Sequence, residues 1–97
     1  VPHAECRLVL PAQLDIRGAR ALKQSLADAL AGGGPCILEA HAIEKASTVA
    51  MQLLMAFFAA MNRAGHPARL RAPSNALRAA AADLGLEGAL HTWEMGL

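Results

Sequence analysis

The sequence predicts an α/β fold, a small sandwich in which a mixed β-sheet carries helices packed mainly on one face. Three observations predict it. Val and Ile together number six against 38 Ala and Leu, a balance that favours helices over a wide sheet. Short apolar runs alternate with longer stretches of helical spacing in the order β–α–β–α–β–α, joined by connections of a few residues. The length, 97 residues, fits one domain over residues 1–97. A chain of this size buries only roughly 60 to 65% of its unfolded surface, so most elements must share one core. Of the 55% apolar residues 23 are Ala, which leaves about 30 larger side chains to build that core.

Residues 5–10 (ECRLVL) form the first β-like run, ended by Pro11, whose ring removes a backbone donor. Leu14 and Ile16 lead into a helix over residues 18–31, where Leu22, Leu26 and Leu30 line one face with Ala19 and Ala29 beside them. Arg20, Lys23, Gln24 and Asp28 occupy the opposite face. Gly32 to Pro35 (GGGP) close the helix and supply a turn. Residues 36–40 (CILEA) read as a buried strand.

Ser47 and Thr48 open the second helix, with Ser47 as the N-cap, since its hydroxyl can accept a bond from an orphan amide. From Val49 to Met61 only Gln52 is polar, but thirteen residues at 1.5 Å each reach about 20 Å, short of the roughly 30 Å of a membrane's hydrocarbon core. No direct membrane insertion is expected. At 100° per residue, Ala50, Leu53, Leu54, Phe57 and Met61 fall on one side of this helix and Gln52, Ala56, Ala59 and Arg63 on the other. Thr48, Met51 and Met55 line the boundary, which reads either as the edge of the core or as an adaptable docking surface. The helix ends near Gly65, residues 68–72 (ARLRA) form a third strand, and Pro73 and Ser74 start a helix over residues 75–84 that Gly85 stops. Residues 86–97 hold a short helix or tail with the only Trp, Trp93.

Composition narrows the chemistry. With net charge +1 and 3% aromatic residues, the chain lacks the dense basic face and the stacking rings of a nucleic-acid binder. Charge is nevertheless uneven. No acid occurs between Glu44 and Asp83, while Lys45, Arg63, Arg69, Arg71 and Arg78 lie in that stretch. These residues read either as a solvated face paired with acids elsewhere in the fold or as an electropositive side for an acidic partner or a phosphate. His3, His41, His66 and His91 show no metal-ligand spacing, and no phosphate-binding glycine motif occurs, so no metal or cofactor is expected. Ser47 and Thr48 lack a nearby His, and no catalytic residue is assigned. Cys6 and Cys36 sit in β-like stretches and read as buried structural thiols. With no secretory signal in the sequence, they point to a reducing cytoplasm. The first residue is Val, so the chain is expected to be a processed form or a fragment of its reading frame.

The start of the second helix stands out, because a phosphate on either hydroxyl there, Thr48 or Ser47, would meet free amides and the positive end of the helix dipole. The segment IEKASTVAMQLLMAF (residues 43–57), set after CILEA and before RAGHPARLRAPSNALRAAAADLGLEGAL, resembles the STAS domain family, named for sulfate transporters and anti-sigma-factor antagonists. The opening LPAQLD (residues 10–15) before an amphipathic helix also resembles that family's first strand-to-helix transition. Thr48 matches the family's phosphorylatable position and Ala50 its usual small residue, while Ser47 stands where the family carries Asp. The resemblance implies a non-enzymatic adapter that binds a regulatory protein at the Ser47–Thr48 end of the helix, with Met51, Gln52 and Met55 as contacts. The partner it implies is a serine kinase that also acts as an anti-sigma factor, in a partner-switching system. A transporter ATPase, within a phospholipid-transporting ABC complex, is the alternative in the same fold, and a small-ligand or nucleotide-binding module is the alternative from another class.

Overall fold

The computed structural model describes residues 6–96, apart from the side chain of Ile16. His3, Glu5 at the expected start of the first strand, and Leu97 lie outside the described residues. The elements are β1 (Cys6–Val9), β2 (Gln13–Leu14), α1 (Ile16–Ala31), β3 (Cys36–Glu39), β4 (Lys45–Ala46), α2 (Thr48–Ala64), β5 (Ala68–Arg71), α3 (Asn75–Asp83) and α4 (Glu87–Met95).

The main sheet has the order β1-β3-β5, and β2 and β4 pair separately as a two-residue ladder. Every pairing among the described residues is parallel, where the sequence suggested a mixed sheet. The reason lies in the crossovers: α1 separates β1 from β3 and α2 separates β3 from β5, so each helix carries the chain back to the end of the sheet at which the preceding strand began.

Register divides the sheet into two unlike faces. Cys6, Cys36 and Ala68 stand side by side, as do Leu8, Leu38 and Leu70, and this face enters the core. Residues of the other face alternate with them. Of these, Arg7, Val9, Arg69 and Arg71 are exposed and Ile37 and Glu39 half-buried. Helices therefore cover one face, in keeping with the one-sided sandwich expected. The register partners Glu39 and Arg71 form an ion pair at 3.8 Å on the open side.

Each of the first three helices begins at a side-chain cap. Asp15 accepts from the Gly18 amide at 3.1 Å, Ser47 from Ala50 at 3.2 Å and Ser74 from Leu77 at 3.1 Å. The Asp15 cap places the start of α1 two residues before the expected Gly18. Gly65, at φ 75°, closes α2, with the His66 amide donating to Met61 O at 2.9 Å.

The core lies between the sheet and the helices as one cluster. Leu22 and Leu26 of α1, Leu54 and Phe57 of α2, Leu38 and Leu70 of the sheet and Leu77 of α3 are all buried in one cluster. The terminal segment is a helix, α4, rather than a tail, because Leu90 and Trp93 bury against this cluster. Trp93 stacks on Phe58 with ring centroids 4.8 Å apart and an interplanar angle of 9°, and Phe58 meets Phe57 edge-on at 5.4 Å.

Candidate functional site

The N-terminus of α2 is held from below by the β2–β4 ladder. Gln13 pairs with Lys45 and Leu14 with Ala46. The amides of Glu44 and Lys45 both donate to Ala12 O, at 2.8 and 3.0 Å, and the Ser47 amide donates to Leu14 O at 2.8 Å. The residues that leave the ladder, Asp15 and Ser47, are the caps of α1 and α2, so two helices start side by side from the Leu14–Ala46 rung of one small ladder. Two-residue strands carry no periodicity, and nothing in the sequence signals β2 or β4 beyond the apolar Leu14 and the Asp15 that caps the following helix.

Ser47 is committed locally: its hydroxyl caps the Ala50 amide and its carbonyl accepts from Met51 at 3.0 Å. That leaves the Thr48 and Val49 amides at the open end of the helix, where the dipole is positive and no acidic residue lies in the first turn. Thr48 is exposed, as expected for a hydroxyl open to modification or contact.

From Thr48 an exposed stripe runs one residue per turn through Gln52, Met55 and Ala59, flanked by Val49 and Ala56. Val49 and Met55 are 42% and 40% exposed, high for apolar side chains. Met51 departs from the expectation. It is fully buried, with none of its surface open to solvent, and it belongs to the core instead of the docking surface. Leu53 moves the other way and is only partly buried. Both shifts have one cause: the buried residues Ala50, Met51, Leu54, Phe57, Phe58 and Met61 span only about 120° of the helix at 100° per residue, and this arc is centred toward Met51 and away from Leu53.

Where α2 ends, its exposed stripe runs into an open groove of about 500 Å³. Met55, Ala59 and Asn62 of α2 line one wall, the loop through His66 and Pro67 the floor, and Thr92 and Trp93 of α4 the other wall. Sequence periodicity gave no hint of this groove, because it depends on how α4 folds back.

The basic stretch is largely paired. Arg78 meets Glu94 at 2.7 Å, Arg71 meets Glu39, and the Arg69 Nε donates to Glu94 O at 2.9 Å. Lys45 and Arg63 are exposed. Pairing with acids thus accounts for Arg71 and Arg78, while Arg69 is held by a backbone carbonyl. Among the described residues no three His, Cys, Asp or Glu side chains converge as a metal site would require, and no helix is long and apolar enough to cross a membrane.

A small parallel sheet with helices packed on one face is consistent with the fold of a STAS-type module. Residues 2–93 match the family model described as "Mlab, STAS domain", and the chain belongs to the STAS domain family. No curated protein and no solved structure matches the chain.

Proposed function

We propose that this STAS domain is a non-enzymatic adapter of the cytoplasm that binds a regulatory protein through the N-terminal half of α2, with Thr48, Gln52 and Met55 at the contact. The observation that carries this reading is the exposed stripe itself. Val49 and Met55 lie in water on a helix whose cap, ladder and buried face are otherwise fully engaged. A helix face built this way suits burial under a partner better than exposure. The partner is a serine kinase of the anti-sigma-factor type. A phosphate on Thr48 would add about −1.5 to −2 charges beside free amides, which the fold tolerates and a packed partner does not.

One observation favours a second reading, a constitutive contact with a transporter ATPase. Ser47 replaces the carboxylate that the family carries before its phosphorylatable residue, and its hydroxyl is occupied by capping. Affinity capture of the full chain from its own cells, followed by mass spectrometry of the captured proteins and of Thr48, separates the two. A kinase with phosphorylated Thr48 supports the switch. A transporter ATPase with unmodified Thr48 supports the constitutive contact, and absence of any protein partner removes both.

A further inference from the structure

Cys6 and Cys36 occupy the same register position on neighbouring parallel strands. Residues so placed face the same side of the sheet at roughly the 4.8 Å strand spacing, inside the approximately 4.4 to 6.8 Å between Cα atoms that a disulfide bridges. The surroundings of the two thiols differ: Cys36 is 1% exposed in the core, while Cys6 is half-buried on the edge strand. Burial above all, then the neighbouring Cys6, pushes the Cys36 thiol up to about 12. A reagent therefore meets Cys6 first, with Cys36 held beside it as a thiol.

We propose that Cys6 and Cys36 form a redox couple that a low-molecular-weight disulfide, such as glutathione disulfide, converts into a cross-strand bond between β1 and β3. In the first step the Cys6 thiolate attacks one sulfur of the reagent. A bond forms from Cys6 to glutathione, the reagent's own disulfide breaks, and one glutathione leaves as thiolate. Cys36 then gives its proton to solvent and attacks the Cys6 sulfur, and the second glutathione leaves. The protein loses two electrons and two protons, and the reagent takes both up as two glutathione molecules. The scarcity of Cys36 thiolate slows the second step at neutral pH, and its poor quality as a leaving group makes the finished bond slow to reduce. The bond closes a loop of about 30 residues containing β2 and α1, the segment that props the start of α2.

The test incubates the full chain with mixtures of glutathione disulfide and glutathione, read by intact mass, thiol alkylation and urea unfolding. Expected is an intramolecular disulfide, a monomer lighter by two hydrogens, formed faster as pH rises. Its unfolding equilibrium constant should fall by roughly 10²- to 10³-fold from loop closure. Cys36→Ser should stop at a glutathione adduct on Cys6, and Cys6→Ser should take up none while folded. If either variant fails to fold, the wild-type chain decides by itself. A lasting glutathione adduct on Cys6, a Cys6-linked dimer, or two thiols still free in excess glutathione disulfide would each overturn the proposal.

Discussion

The Ser47 amide donates to the Leu14 carbonyl at 2.8 Å, and this bond joins the starts of the first two helices. Leu14 has no surface open to solvent, and it is followed by Asp15, the cap of α1. Any change that shifts β2 is thus transmitted to the residue that precedes Thr48, and the geometry of the candidate site rests on a ladder of only two rungs.

Gly18 is where that dependence can be tested. A Cβ there would sit 2.8 Å from Gln13 O, a backbone atom of β2 that cannot swing aside. Gly to Ala inside a helix ordinarily stabilises by about 1 kcal/mol. Here the sign should reverse, with Gly18→Ala costing about 1 to 3 kcal/mol as overpacking. Urea unfolding measures it, and a stabilised variant would mean that α1 and β2 do not approach this closely.

Met51 and Met55 are four residues apart on α2 and should respond oppositely to charge. Met55→Glu leaves folding within about 0.5 kcal/mol of wild type, because the side chain is already in water. It should weaken partner binding strongly, since a carboxylate would enter a desolvated contact. Met51→Glu buries an unpaired charge and should unfold the domain. Circular dichroism beside a binding measurement distinguishes them, and a folded Met51→Glu domain would return Met51 to the surface.

The neighbouring pair Leu53 and Leu54 separates core from margin. Leu54 is fully buried, and Leu54→Ala should cost about 2 to 5 kcal/mol. Leu53, partly buried, should cost no more than about 2 kcal/mol. Equal losses on denaturant unfolding would contradict this division.

Much of this architecture was legible in the sequence, and the parts that were not share a physical cause. Leu22 and Leu26 announced α1, CILEA announced β3, and Ser47, Ser74 and Gly65 marked helix ends, because these signals are local. The β2–β4 ladder was invisible because two residues per strand leave no period to read. Met51 was misplaced because a helical wheel does not fix where the buried arc is centred, and packing against α1, β5 and α3 turns that arc toward Met51. Parallel pairing was implied by the β–α–β–α–β alternation and was missed in expecting a mixed sheet, whereas the groove beside Trp93 is tertiary, since the return of α4 cannot be seen in any one segment. At the candidate site, Thr48 was legible from the cap that precedes it. The extent of the exposed stripe needed the fold.

Alkaline pH should destabilise the protein through Cys36. Its thiol is raised from 9.0 to about 12 in the folded chain, so between those values the unfolded chain has lost a proton that the native chain keeps. Stability from this group is fully present below pH 9, falls as pH rises toward 12, and levels off above it. Urea midpoints of wild type and Cys36→Ala should therefore converge over this range. A constant difference from pH 8 to 11 would show that the buried thiol does not titrate as its burial requires.

The switch assigned to Thr48 makes the most specific demand. Its hydroxyl is exposed in the first turn of α2, beyond the Ser47 cap, so substitutions there should leave the cap bond to Ala50 in place. Thr48→Ser keeps the hydroxyl and should bind the partner within about twofold of wild type, a change worth less than about 0.5 kcal/mol. Thr48→Ala removes only a small polar group and should bind nearly as well. Thr48→Glu places a carboxylate at the positive end of the helix, where it should hold or slightly raise stability, by about 0.3 to 1 kcal/mol. The same carboxylate would face the partner beside Gln52 and Met55, and there it should cost tenfold or more in affinity, about 1.4 kcal/mol. Stability and affinity thus move in opposite directions in a single variant, which separates a blocked contact from a damaged fold. Binding titrations of the three variants, read beside their unfolding curves, test it. A Thr48→Glu domain that binds as tightly as wild type would remove the switch and leave a constitutive adapter.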